Sequence, residues 1–77
     1  MSGEHHGREQ EGRDLKKLRI LLPHWIEHNE EHASGFRDWA AKSRELDLEE
    51  TAQRIDEAVE CMMACNKALS AAQETLE

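Results

Sequence analysis

The chain has 77 residues, enough for one small domain, and a formal net charge of −7. This charge argues against nucleic acid and anionic membranes as partners, since both are themselves polyanionic. No apolar run approaches the length of a membrane span. One Phe and two Trp are the only aromatic residues, which excludes a large monomeric core. Domains this small usually need a staple, a metal ion or a partner chain.

The first residues contain no apolar stretch typical of a signal peptide, so we expect a cytoplasmic location. In that compartment Cys61 and Cys65 are predicted to be thiols. Their spacing of four within one predicted helix is also poor geometry for a mutual disulfide.

Residues 1–13 are polar, contain three glycines and show no periodicity, which predicts a flexible polar tail. The remaining residues, 14–77, are predicted to form an all-α helical hairpin domain. Asp14 can cap a short additional helix over about 14–22. Pro23 then either begins the next helix, over about 23–43, or kinks a continuous one, because proline is tolerated at a helix start and poorly inside a helix.

Within 23–43 two adjacent rows with seven-residue spacing form the predicted buried stripe, and a third row flanks it. The rows are Trp25, His32 and Trp39, then Leu22, Asn29 and Phe36, with Ile26, Ala33 and Ala40 on the flank. Gly35 costs about 1 kcal/mol relative to Ala inside a helix, which suggests close approach by a neighbouring helix.

Residues 44–47 are the predicted turn, and Asp47 with Glu50 forms a variant of the capping box at the start of a helix over about 48–76. This helix is amphipathic, with one predicted seam. Its main row is Leu48, Ile55, Met62, Leu69 and Leu76, its companion row is Thr51, Ala58, Cys65 and Ala72, and Ala52 and Val59 lie on the opposite side. The short connection predicts an antiparallel hairpin, and its half-covered aromatic residues predict a homodimer that forms a four-helix bundle.

Residues 24–32 carry the clearest functional signal, because His24, His28 and His32 recur every fourth residue and share one helix face. Imidazole is the commonest metal-ligating side chain. In an antiparallel hairpin His28 lies opposite the region of Met63 and His32 opposite that of Val59. Cys61 and Cys65 are then predicted at the levels of His28 and His24. We therefore predict a metal site from the histidine strip and the two thiols.

Glu31 is included as a candidate ligand or as a partner for an imidazole N–H group. The predicted metal ligands are His24, His28, His32, Cys61, Cys65 and Glu31. Imidazole with thiolate suits Zn, Ni, Co and Fe, with Zn and Ni favoured, whereas Mg and Ca prefer oxygen ligands. The other interpretation is that the histidines are solvated and the cysteines only fill space. The sequence leaves the role of His5 and His6 open.

The segment Pro23-His24-Trp25-Ile26-Glu27-His28-Asn29-Glu30-Glu31-His32, followed by Phe36 and Trp39, resembles a family of small uncharacterised helical-hairpin domains of anaerobic prokaryotes. The resemblance covers about residues 15–76. It implies the hairpin fold and a role for the histidines, and it implies no particular activity.

Two functions follow from the sequence. The first is a cytoplasmic metal-binding helical protein that stores, delivers or senses a transition metal. The alternative is a metal-free interaction or adaptor module that forms a homo-oligomeric bundle. An enzyme is a weaker third hypothesis, because the chain has no set of nucleophile, base and orienting group and no phosphate-binding loop. Redox or hydrolytic chemistry at a bound metal with an open coordination position is the form it would take.

Overall fold

A computed structural model describes residues 2–77, with side chains described from residue 9 onward. The chain folds into two antiparallel helices, α1 over Ser2–Glu45 and α2 over Glu49–Glu74. The described residues contain no strand. The predicted all-α helical hairpin is therefore confirmed.

Helix α1 is continuous through Pro23, so the predicted helices over 14–22 and 23–43 form one helix rather than two. Pro23 cannot donate a hydrogen bond to the carbonyl of Arg19, but its ring is exposed and does not enter the contact with α2. The helix continues on both sides of Pro23 despite this missing hydrogen bond. Helix α1 also includes residues 2–13, where the sequence predicts a tail, and the flexibility of that segment stays a prediction. The side chains of His5 and His6 lie outside the described part of the chain.

The turn between the helices falls where the sequence predicts it, but its capping differs. Asp47 has a left-handed backbone with φ 62°, and the N–H of Leu48 donates to the carbonyl of Ser43 while that of Asp47 donates to the carbonyl of Arg44. These two bonds define a Schellman motif that ends α1. The N-cap of α2 is Leu48, which makes no side-chain capping bond. The predicted capping box of Asp47 and Glu50 is therefore wrong, because Asp47 is used to end α1.

Arg44 forms ion pairs across the turn with two carboxylates of α2. Its guanidinium lies 3.2 Å from a carboxylate oxygen of Glu49 and 2.7 Å from one of Asp56. The hydrogen bond to Asp56 raises the pKa of Arg44 above its ordinary value. All three side chains are well exposed, so these ion pairs contribute little to the stability of the turn.

The seam between the helices is built mainly from small residues. The buried apolar residues are Leu22, Ala33 and Ala40 of α1 and Ala52 and Val59 of α2. Half-buried residues flank them, namely Ile26, Asn29 and Phe36 on α1 and Ile55, Met62, Leu69 and Leu76 on α2. Alanine at the contact line lets the two backbones approach closely, which larger side chains would prevent.

This seam lies about one row away from the predicted stripe on both helices. On α1 the row of Ala33 and Ala40, predicted as a flank, is the buried centre, whereas Trp25 and Trp39 are exposed. On α2 the buried row is that of Ala52 and Val59, and the predicted companion row with Cys65 is exposed. The row of Leu22, Asn29 and Phe36 and that of Ile55, Met62 and Leu69 do border the seam, as predicted.

Candidate metal site

His28 and His32 form the closest pair of candidate ligands. Their Nε2 atoms lie 3.0 Å apart, and their ring centroids 4.4 Å apart with nearly perpendicular planes. Both rings are exposed on α1. At this distance the Nε2–H of one ring donates a hydrogen bond to the unprotonated Nε2 of the other, so one proton lies between these two atoms.

A divalent cation can take the place of that proton. Two nitrogens bound to one zinc ion at about 2.0–2.1 Å lie roughly 2.9 Å apart at a right angle and roughly 3.3 Å apart at a tetrahedral angle. The observed separation of 3.0 Å falls between these values. The separation of the two nitrogens is therefore that of a chelating pair, and the rings need to turn so that both lone pairs point at the ion.

His24 continues the histidine strip one turn earlier but is less closely engaged. Its ring centroid lies 6.2 Å from that of His28, with the planes stacked at 26°. At the other end of the strip the ring of Phe36 lies 6.0 Å from that of His32. The ring of His32 therefore lies between those of His28 and Phe36, whereas His24 lies at the end of the strip.

Cys65 lies on the same side of the hairpin as the histidines. The side-chain amide of Asn29, the residue after His28, donates to Sγ of Cys65 at 3.7 Å. Asn66 lies opposite both Ile26 and Asn29, which is within one turn of the predicted register. This register places Cys65 at the level of His28 and Cys61 at the level of His32. Both thiols are free and exposed.

The six predicted ligands are nevertheless not gathered around one point. Among the residues with described side chains, no group of three or more His, Cys, Asp or Glu is placed to hold a metal ion. Glu31 is exposed and precedes His32 by one residue, which turns it about 100° around the helix. A single chain therefore offers two converged imidazoles, with the thiols across the seam at the same height.

The surroundings of the histidines are apolar and exposed. Trp25 is 40% exposed and Trp39 60% exposed, and the ammonium of Lys42 lies 4.4 Å from the centre of the Trp39 ring. Neither tryptophan side chain belongs to the buried core of the seam between α1 and α2. They form a surface of their own beside the histidine pair.

The sequence reasoning missed the polar cluster at the seam. Asn66 is buried, accepts a hydrogen bond from the amide of Asn29 at 2.9 Å and donates one to the carbonyl of Ile26 at 3.1 Å. The signal was present in the spacing, because Asn66 continues the row of Ala52 and Val59. This cluster fixes the height at which the cysteines meet the histidines.

Fold and site together define a small helical hairpin with a strip of histidines on an exposed face of its longer helix. The chain belongs to a domain family of unknown function (DUF8180), whose model matches residues 18–76. No curated protein and no solved structure matches it. The match confirms the expected membership in an uncharacterised domain family. In the described part of the chain, neither helix has a stretch with the length and apolar character needed to cross a membrane.

Proposed function

We propose that this protein binds a divalent transition-metal ion through His28 and His32. The observation that carries the proposal is the 3.0 Å separation of the two Nε2 atoms on an exposed face. Because both rings stem from one rigid helix, little side-chain entropy is lost when they converge on an ion. Among the residues with described side chains, neither imidazole is paired with a carboxylate, and their polar contact is the one between the two rings.

Imidazole ligands favour Zn and Ni, and they also accept Co and Fe. The thiols of Cys61 and Cys65 lie at the same height and are available as further ligands once the site is completed. His24 and Glu31 stay predicted ligands with less geometric support. We propose that the protein handles such an ion in the cytoplasm, by storage, delivery or sensing, and the two free thiols suit a reducing compartment.

The test is isothermal titration of the untagged, reduced protein with Zn(II) and with Ni(II), in comparison with variants. His28→Ala or His32→Ala removes one of the two converged nitrogens. Loss of an outer-shell partner alone typically lowers metal affinity 10–100-fold, so loss of a ligand is expected to lower it by about a hundredfold or more. Retention of the original affinity in both variants would refute the proposal.

Two matched controls separate the site from general effects. Glu27→Gln and Glu30→Gln each remove a charge beside the pair, and neither removes an imidazole, a thiol or a predicted ligand. Both are expected to change affinity by less than about tenfold. Circular dichroism checks that each variant keeps the helix content of the parent protein.

The second candidate function, a metal-free interaction module, is favoured by a different observation, the exposure of Trp25 and Trp39. A ligand that binds only the folded state raises its melting temperature, so a metal-binding hairpin is stabilised by Zn or Ni. An interaction module shows no such shift. Thermal melts with added metal and with chelator therefore distinguish the two functions.

A further inference from the structure

Helix α1 carries a second heptad stripe beside the one that packs on α2. Its positions alternate by three and four residues, the spacing of a helix-packing seam. We call it the second stripe, and its side chains are Leu18, Leu21, Trp25, His28, His32 and Trp39, with Gly35 completing the series. Most of these residues are exposed, and the histidine pair lies at the middle of the series.

Gly35 leaves a position on this stripe where another chain can approach the helix closely. A glycine inside a helix costs about 1 kcal/mol relative to alanine. A Cβ atom added at Gly35 would meet nothing within 4 Å, so the chain's own fold does not require glycine here. The close approach predicted for Gly35 is therefore not made by α2.

The charge pattern points to a second copy as the occupant. The protein has a formal net charge of −7, but none of the second-stripe positions is Asp or Glu. On α2 the positions on the same side are also free of carboxylates and include Ala58, Cys65 and Ala72. Two such faces can meet without repulsion between carboxylates, while the rest of the surface repels.

We propose that two copies pair through their second stripes and that their two His28–His32 pairs form one four-imidazole metal site. This proposal rests on the proposed metal binding. Among the side chains that the structure describes, one chain supplies two converged nitrogens, whereas Zn in structural sites is bound by four ligands. A two-fold axis midway between His28 and His32 places each His28 opposite the other copy's His32, which supplies the missing two.

The same axis pairs large residues with small ones. Antiparallel pairing about this point sets Trp25 of one copy opposite Gly35 of the other, and Leu21 opposite Trp39. In a two-fold interface each such contact occurs twice. The register set by Asn66 also places the midpoint of Cys61 and Cys65 at the level of the axis, so the α2 helices meet about the same point.

The experiment is sedimentation equilibrium of the full chain in reducing buffer, with Zn(II) and then with chelator, together with the stoichiometry from calorimetry. We expect one zinc ion for two chains, and a dimer dissociation constant lowered at least tenfold by zinc. His28→Ala should abolish the effect of zinc. Gly35→Arg, which the single chain accommodates in open space, should abolish the dimer and weaken zinc binding while the helix content is kept.

Other outcomes overturn the proposal in distinguishable ways. One zinc ion per monomer, with no dimer, refutes the shared site and leaves the proposed function standing. A dimer that forms equally in chelator and in His28→Ala refutes the metal centre between copies. Absence of zinc and nickel binding refutes both this proposal and the proposed function.

Discussion

At the scale of single residues, Asn66 shows how one polar side chain sets the geometry of the site. It is 5% exposed, and its amide group both accepts from Asn29 and donates to the carbonyl of Ile26. Polar side chains at buried seam positions select one register over others, because a shifted register leaves them without partners. Here that register aligns the thiols with the histidines.

We predict that Asn66→Ala lowers the free energy of unfolding by about 1–3 kcal/mol, because two hydrogen bonds are lost at a buried position. Urea denaturation followed by circular dichroism measures it. A double-mutant cycle with Asn29→Ala should give a coupling energy of about 0.5–1.5 kcal/mol. Additive effects of the two substitutions would show that the Asn29–Asn66 hydrogen bond contributes nothing.

At the scale of the helices, the turn contains a residue whose backbone conformation is one that its residue type adopts only at a cost in free energy. Asp47 has φ 62°, a left-handed conformation that glycine adopts freely and that other residues adopt at a cost. Aspartate is among the residues that tolerate it best, which explains why the chain can end α1 here without glycine.

Asp47→Gly is therefore expected to stabilise the hairpin by about 0.5–1 kcal/mol, since relief of the backbone cost exceeds the added entropy of the unfolded chain. For a domain of this size 1 kcal/mol corresponds to a shift of roughly 4–8 °C in the melting temperature. Asp47→Val, which is β-branched, should lower the melting temperature instead. Equal melting temperatures for the Gly and Val variants would contradict the Schellman assignment.

The helices also show what the sequence could and could not predict. Heptad spacing and the short polar turn predicted the hairpin and its register within one turn. They did not predict which stripe of α1 meets α2, because this helix carries two apolar stripes and spacing alone ranks the one with Trp25 and Trp39 higher. The burial of Ala33 and Ala40 on α1, and of Ala52 and Val59 on α2, shows which stripe packs. Pro23 was ambiguous for a similar reason, since only the fold shows that its ring faces solvent.

The site was predictable to a lesser degree. The spacing of His28 and His32 placed their rings together, as the structure has them. Cys61 and Cys65 lie at the same height along the hairpin as the histidines. Among the described side chains, however, the predicted ligands do not converge on one point.

At the scale of the whole molecule, α1 is much longer than α2, with 44 residues against 26. Arg19 donates a hydrogen bond to the carbonyl of Leu76 at 3.0 Å. The chain that follows α2 therefore ends level with Arg19 on α1. Residues 9–17 therefore extend past the hairpin, and all of them are exposed. The match to the family model begins at residue 18, where this extension ends.

Deletion of residues 1–13 should leave the hairpin intact. We expect a change of less than about 0.5 kcal/mol in the free energy of unfolding, because substitutions and cuts away from buried contacts have small effects. Urea denaturation of the shortened chain beside the full chain measures the difference. A loss of several kcal/mol would mean that the extension takes part in folding.

The separation of carboxylates from the second stripe has a kinetic consequence. The negative field of the whole protein draws cations toward it over roughly a Debye length, about 8–10 Å in ordinary buffers. Hard ions such as Mg²⁺ and Ca²⁺ exchange rapidly among the outer carboxylates, whereas the imidazoles offer them no oxygen. The protein would thus attract divalent ions of every kind. It would retain only those ions that dissociate slowly from imidazole nitrogen. The rate at which ions arrive would fall as salt is added.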